Sequence, residues 1–447
     1  MASAAEQMAA SLSLGAFGKA TDLKKRIWFT LGALIVFRFG TYIPVPGVDA
    51  TVMAHQMTQS GGGILGMFNM FTGGALGRMT IFALNILPYI SASIIIQMMT
   101  VAIPALDTLK KEGESGRQKI TQYTRYLTVL IATVQAYGIS VGLSAMKTTL
   151  GPAVIDPGLM FTFTCVITLV GGTVFLMWLG EQITSRGIGN GASLIIFAGI
   201  VANMPLAIAN ILELGSTGAL STLFIIGFFV IGIAVFAFIV FMERAQRRIL
   251  VQYPKRQVGQ KVYGGDATHM PIKVNTSGVM APIFASSLLL LPATIVGFSH
   301  AGGGGGVLQM VAHQLSHGQP GYMILFATLI VVFSYFWAAI SFNPEDTAEN
   351  LKKSGGFIPG IRPGANTAKF FDTVLTRLTT IGAFYLVIVC LLPEFVLSNY
   401  SLPFYFGGTS LLIIVSVTMD TVSQIQSHLL AHQYEGLIRK NRGKSRK

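Results

Sequence analysis

Long apolar runs alternate along this chain with short polar, glycine-rich or lysine-bearing interruptions. Ten of the runs, at 27–46, 79–103, 126–146, 157–180, 187–212, 218–242, 276–298, 321–342, 373–393 and 400–419, come close to the roughly 20 residues a helix needs to cross bilayer hydrocarbon. Backbone groups find no water there, so each run must close its own hydrogen bonds as a helix. The pattern therefore predicts an all-α integral membrane protein of ten spans. Eight runs hold no Lys, Arg, Asp or Glu; the exceptions are Arg38 in the first, which snorkels or faces protein, and Arg377 near the start of the ninth.

Three places depart from the plain pattern. Residues 61–77, GGGILGMFNMFTGGALG, are moderately apolar, too short to span and punctuated by glycine. They read either as an interfacial segment or as a half-helix folded back into a cavity. Pro88 falls inside the second run, where it removes a backbone donor and predicts a kinked helix, with Ser91 and Ser93 placed to pair freed carbonyls. The connections 243–275 and 343–372 are about 30 residues each, a length that is usually functional.

Charge orients the spans. With the amino terminus in the cytoplasm, 28 of the 31 Lys and Arg residues fall on the cytoplasmic side or at its membrane edge, leaving Lys147 and Arg78 outside and Arg38 within a span. Both termini are then cytoplasmic, and the net charge of +13 describes one face of the protein. No zinc spacing, RNA-binding signature or soluble basic module is present, which argues against a nucleic-acid domain and against DNA binding. Anionic lipid accounts for part of a basic face but does not call for long loops. The basic cluster Lys24, Lys25, Arg26 runs straight into a full apolar stretch, which reads as an uncleaved first span. Cys165 and Cys390 lie in apolar runs and read as core filler.

Chemical motifs are missing. There is no Walker loop, dinucleotide fingerprint, HExxH, nucleophile elbow or cysteine/histidine metal spacing, and the expectation is no enzyme and no cofactor. The histidines at 55, 269, 300, 313, 317, 428 and 432 fall in predicted loops or tails. No acid or histidine sits near the middle of a span, where an ion-coupled carrier commonly keeps one, so energy must come from another protein. The run Gly302 to Gly306 reads as a flexible loop rather than a phosphate cradle.

Particular strings then become informative: MFNMFTGGAL (67–76), LPYISASIIIQ (87–97), KKEGESGRQKITQYTRY (110–126), MWLGEQITSRGIGNGASLIIFAGIV (177–201), ERAQRRI (243–249), NLKKSGGFIPGIRPG (350–364), PFYFGGTSLLI (403–413) and SHLLAHQYEGLIRK (427–440). In order and topology, from about residue 20 to about 440, the chain resembles the SecY family, the channel subunits of the bacterial protein translocase. The resemblance implies two pseudo-symmetric five-helix halves closing like a clamshell around a pore and opening sideways between helices 2/3 and 7/8. The division is then a tail at 1–26, a first half at 27–213 with a plug about 64–78, a second half at 214–425 carrying the loops 243–275 and 343–372, and a basic tail at 426–447.

By motif match the resemblance implies a pore ring of Ile86, Ile90, Ala192, Ile196, Ile283 and Ile413, with Ala192 a departure from the larger aliphatic often found there. An apolar collar of this kind dewets and blocks ions yet parts around an extended peptide. It implies a plug containing Leu65, Met67, Phe68 and Asn69, and a polar lateral gate of Ser91, Gln135 and Asn275, unless these bond their own helices. Docking of the motor ATPase SecA and of ribosomes is implied for Arg244, Arg247, Arg248, Lys255, Arg256, Lys352, Lys353 and Arg362. Proline and glycine make the tip around Arg362 protrude without a local core, and arginine grips carboxylate or phosphate in a fork. Any one of these cations alone would read as solvated decoration. The remaining implied partners are SecE and SecG in a heterotrimer, SecDF and YidC, unfolded preprotein and membrane lipid, all in the bacterial inner membrane. A secondary transporter of a small solute also suits ten spans and a broken helix, while a lipid-embedded scaffold would have no pore.

Overall fold

A computed structural model describes residues 21–53, 69–145, 147–148, 151–217, 221–253, 256–258, 261–263, 267–299, 319–400 and 407–444. The helices are α1 (Thr21–Gly40), α2 (Leu87–Ala102), α3 (Pro104–Lys111), α4 (Glu114–Ala145), α5 (Leu159–Arg186), α6 (Gly191–Ser216), α7 (Thr222–Arg244), α8 (Met280–Ser299), α9 (Pro320–Ser341), α10 (Pro344–Lys353), α11 (Ala365–Tyr400) and α12 (Gly408–Lys444). Each of the ten apolar runs is occupied by one long helix, and the short α3 and α10 lie between them. Among the described residues, seven of the long helices are long and apolar enough to cross a membrane.

The second run departs from expectation. Residues 72–86 are turns, not helix, and Pro88 stands in the first turn of α2 instead of kinking it. Proline is tolerated there because the N–H it lacks would have no intrahelical partner. The sharp break comes later, where α2 and α3 meet at 100°. Its cause is Pro104, which holds the preceding Ile103 extended at φ −110°, ψ 112°.

The long connection after α7 is not an irregular loop. After the short antiparallel pair of Lys147–Thr148 (β1) and Gly151–Pro152 (β2), Gln246–Gln252 (β3) pairs antiparallel with Ala267–Lys273 (β6), and Arg256–Val258 (β4) pairs with Lys261–Tyr263 (β5) at the tip. The alternation was present in QRRILVQ, where Ile249 and Val251 are buried between exposed or half-exposed neighbours. The basic segment from 426 also differs from a tail, since α12 continues through it to Lys444, so His428 and His432 are helical and His269 lies on a strand.

Most of the apolar core is one cluster drawn from α1, α2, α5, α6, α7, α8, α9, α11 and α12. Here α8 packs against both α2 and α4, while α6 packs against α12 as well as against α5. Backbone approach sets the register at two of these joints. A Cβ added at Gly191 would lie 1.9 Å from the Gly180 carbonyl oxygen, and one at Gly408 would lie 1.8 Å from that of Val389. Only glycine lets the starts of α6 and α12 seat so deeply, which brings Ala192, Ile196 and Ile413 to the centre.

Candidate functional site

The six aliphatic positions singled out in the sequence meet in that central cluster. Ile86, Ile90, Ile196, Ile283 and Ile413 are all under 9% exposed, and the half-buried Ala192 packs against them. Their helices are independent, α2, α6, α8 and α12, with Ile86 as the residue before α2. Asn190 caps α6 by accepting from the backbone N–H of Ala192 and Ser193 at 3.1 and 3.3 Å, which fixes the first turn carrying Ala192.

On one side of the cluster lies a cavity of about 860 Å³, lined by Ile86, Ile90, Ala192, Ile196 and Ile283 at its floor and by exposed residues such as Glu114 and Gln118 at its mouth. On the other lies a pocket of about 20 Å³, room for about one water, lined by Phe71, Leu87, Ser286, Ser287 and Ile413. Ile196 and Ile283 line both.

The small pocket is closed by the turn-rich segment that follows the interfacial stretch of the sequence. Leu65, Met67 and Phe68 lie outside the described residues; Asn69 to Phe71 form a short helical piece, and residues 70–77 are buried. Several polar contacts hold it. Asn69 Oδ1 accepts from the Gly77 N–H at 2.6 Å, and the Asn69 carbonyl accepts from the Gly74 N–H at 2.8 Å. Asn85 Nδ2 donates to the Phe71 carbonyl at 2.8 Å, and Arg38 Nη1 to the Gly73 carbonyl at 2.8 Å. Gly73 takes φ +69° and touches Gly199 of α6, where an added Cβ would come within 3.0 Å of the Gly199 Cα. Arg38 thus faces protein, its other nitrogen reaching the Tyr42 hydroxyl at 2.9 Å.

The three residues read as a polar gate do not share hydrogen bonds. Ser91 is buried on α2, and the Gln135 Oε1 on α4 is buried without a partner. Asn275 looks elsewhere: its Nδ2 donates to Glu243 Oε1 at 2.7 Å, and its Oδ1 accepts from the Ser277 hydroxyl and the Gly278 N–H. The reason is local, since Glu243 is a buried carboxylate at the end of α7 that requires a donor, and the turn into α8 needs its amide closed. In the sequence Glu243 heads the basic string ERAQRRI, and nothing local marks it as buried.

The basic residues fall on one surface. Arg244, Arg247, Arg248, Lys352, Lys353 and Arg362 are exposed, Arg256 begins β4, and Lys255 lies outside the described residues. Lys353 pairs with Glu349 at 2.9 Å, which holds that carboxyl below the usual carboxylate range. Contrary to expectation, the loop around Arg362 has a core beneath it. Ile249, Ile272, Ala348, Ile358, Phe371, Val374 and Leu378 form a separate cluster, and Gln252 and Phe357 exchange two backbone hydrogen bonds of 2.9 Å. The β3–β6 ribbon and the turn that carries Arg362 therefore share one buried core and form a single platform. Gly360 and Gly364, at φ +83° and +111°, turn the chain on either side of Arg362.

Comparisons with known proteins agree with this arrangement. The SecY family model matches residues 80–422. The protein translocase subunit SecY of Rickettsia conorii is 55% identical over 419 residues, covering 94% of this chain and 96% of its own, and that of Escherichia coli strain K12 is 55% identical with 94% of each chain covered. Among solved structures, a protein-conducting channel superposes with a TM-score of 0.67 at 19% identity, covering 91% of this chain and 92% of its own. Sec61 in the canine ribosome–channel complex from the endoplasmic reticulum gives 0.62 at 18% identity, covering 91% and 92%.

Proposed function

The chain belongs to the SecY family, and from that premise we propose that it forms a channel through which unfolded polypeptides cross, or leave sideways into, the bacterial inner membrane. The observation that carries this is the meeting of six aliphatic side chains between a wide vestibule and a nearly filled pocket. A waist of that kind offers a passing chain no sticky polar site and, at rest, no wetted path for ions. The multi-pass chain is a membrane channel subunit and not an enzyme; the solute carrier is not favoured. In this reading both termini and the basic platform face the cytoplasm, SecA or a ribosome docks on the platform, and SecE and SecG complete the membrane complex.

In this reading the chain divides into two five-helix halves, and the packing of α8 against α2 and α4 supports taking that contact as the seam that would part for a signal segment. Ser91 and Gln135 on that seam would then yield easily, because hydrogen bonds between helices in membranes are worth only about 0.6–2 kcal/mol each. The segment around 64–78 serves as the plug. The test is reconstitution: vesicles holding this chain with two small membrane subunits should import an unfolded preprotein only when the motor ATPase and ATP are added. Flux of a small solute without the ATPase would favour a carrier instead.

Arg38 is a charged tether on the plug segment. Its charge-assisted bond to the Gly73 carbonyl is worth about 1.5–3 kcal/mol, so Arg38→Gln should raise the population of displaced plug about tenfold or more. Single-channel recordings should show that rise as resting ion leak, as should deletion of 64–74, with translocation retained in both. An unchanged resting trace for either variant would argue that this segment does not seal the pore.

A further inference from the structure

We propose that the Arg125–Glu181 ion pair keeps the vestibule indifferent to the charge of the segment passing through it, which makes Arg125 a selectivity-determining residue of the channel; the inference rests on the channel reading above. Arg125 on α4 and Glu181 on α5 meet fork to fork, Nε donating to Oε1 at 2.9 Å and Nη2 to Oε2 at 2.6 Å. Both line the vestibule. Their side chains keep 46% and 23% exposure. A partly solvated pair adds little to stability, and α4 and α5 already pack against each other without it. Its consequence lies in the field it cancels.

The rest of the vestibule wall is nearly chargeless. Among the described residues its one other charged lining residue beyond this pair is Glu114 at the mouth, and the polar remainder is amide and hydroxyl, with Gln97, Gln118, Thr121, Gln182 and Ser193 prominent. A space of 860 Å³ is about 12 Å across if spherical, so a threaded chain stays within about the 8 Å over which physiological salt screens a charge. An unpaired carboxylate at 181 would therefore act on every side chain that passes, and apolar walls would focus its field. Closed by a guanidinium in two parallel hydrogen bonds, it presents only a short-range dipole. Glutamate alone would repel acidic segments and draw in basic ones, and arginine alone would do the reverse.

The experiment uses the reconstituted, ATP-driven complex and preproteins identical except for a neutral, acidic or basic central segment. Arg125→Gln should lower the ratio of acidic to neutral import rates roughly fivefold, the factor for unit charges about 8 Å apart at an effective dielectric of about 40. Glu181→Gln should raise the ratio by a similar factor, and both effects should shrink at high salt. The Arg125→Gln/Glu181→Gln double variant should return the ratio to that of the unsubstituted chain, and Arg125→Lys, which keeps the charge and loses the fork, should stay close to it. If both single variants slow all three preproteins alike, or the double variant is no nearer the original ratio, the pair is a brace and the inference falls. Import of none of the three by the unsubstituted chain would overturn the channel reading itself, and this inference with it.

Discussion

Vesicles carrying the Arg362→Glu chain should import preprotein under ATP at less than roughly a tenth of the wild-type rate, because reversing one partner of a docked charge pair costs about 2–5 kcal/mol. The loss should not come from misfolding. The Arg362 side chain is exposed, and the tertiary bond at this residue runs from the Thr367 hydroxyl to its backbone carbonyl at 3.0 Å, which glutamate preserves. The turn itself is set by the glycines at 360 and 364, and the platform by the buried cluster under Ile358 and by the Gln252–Phe357 pairing. Arg362 is therefore a cation presented on a stiff mount, which lowers the entropy lost when a partner binds. Arg362→Lys should fall between the two, keeping the charge and losing the bidentate geometry. Import kinetics, with ATPase binding measured in parallel, decide it; a normal import rate for Arg362→Glu would remove the docking role from this residue.

That stiffness was hidden in the sequence, and the reason is physical. Glycine, proline and lysine around 352–364 announce a turn, but the side chains that support it come from four separate places: Ile249 and Ile272 on the ribbon, Ala348 on α10, and Phe371 on α11. No local pattern joins residues so far apart. Hydrophobic run length, by contrast, is local, and it located all ten long helices. Proline at 88 carried the right signal with the wrong consequence, since the same ring that breaks a helix interior is favoured in a first turn, and only the turns at 72–86 decide which applies. Only motif resemblance grouped the central aliphatic residues, because an isoleucine buried at the centre and one facing lipid are the same letter. Asn275 shows the opposite failure: resemblance placed it with Ser91 and Gln135, whereas the buried carboxylate of Glu243 claims its amide. Arg125 and Glu181, 56 positions apart, join only because α4 and α5 run side by side.

The second large effect is expected at the waist. Ile196 and Ile283 line both cavities, so they sit where water would have to pass between them. Neither helix needs a polar group there, and a narrow apolar constriction excludes water because the passing molecules would forfeit hydrogen bonds. The Ile196→Ser/Ile283→Ser chain gives water two hydroxyl partners and removes two large apolar side chains, each worth about 1.5–3 kcal/mol of preference for a dry contact. Resting conductance in planar bilayers should therefore rise at least roughly tenfold. Since shortening a buried isoleucine also leaves a cavity, the Ile196→Val/Ile283→Val chain is the control: it widens the constriction slightly, keeps it apolar, and should remain sealed. A Val double variant that leaks as much as the Ser one would mean that width governs the seal. A Ser double variant as silent as wild type, in protein shown to be folded and inserted, would mean that the barrier lies at Phe71 and the plug segment rather than at the aliphatic waist. The two placements differ further once a chain is in transit: a waist seals around the polypeptide by contact, whereas a displaced plug seals nothing. Ion leak measured with a preprotein arrested in the channel should accordingly be low in wild type and high in the Ser double variant.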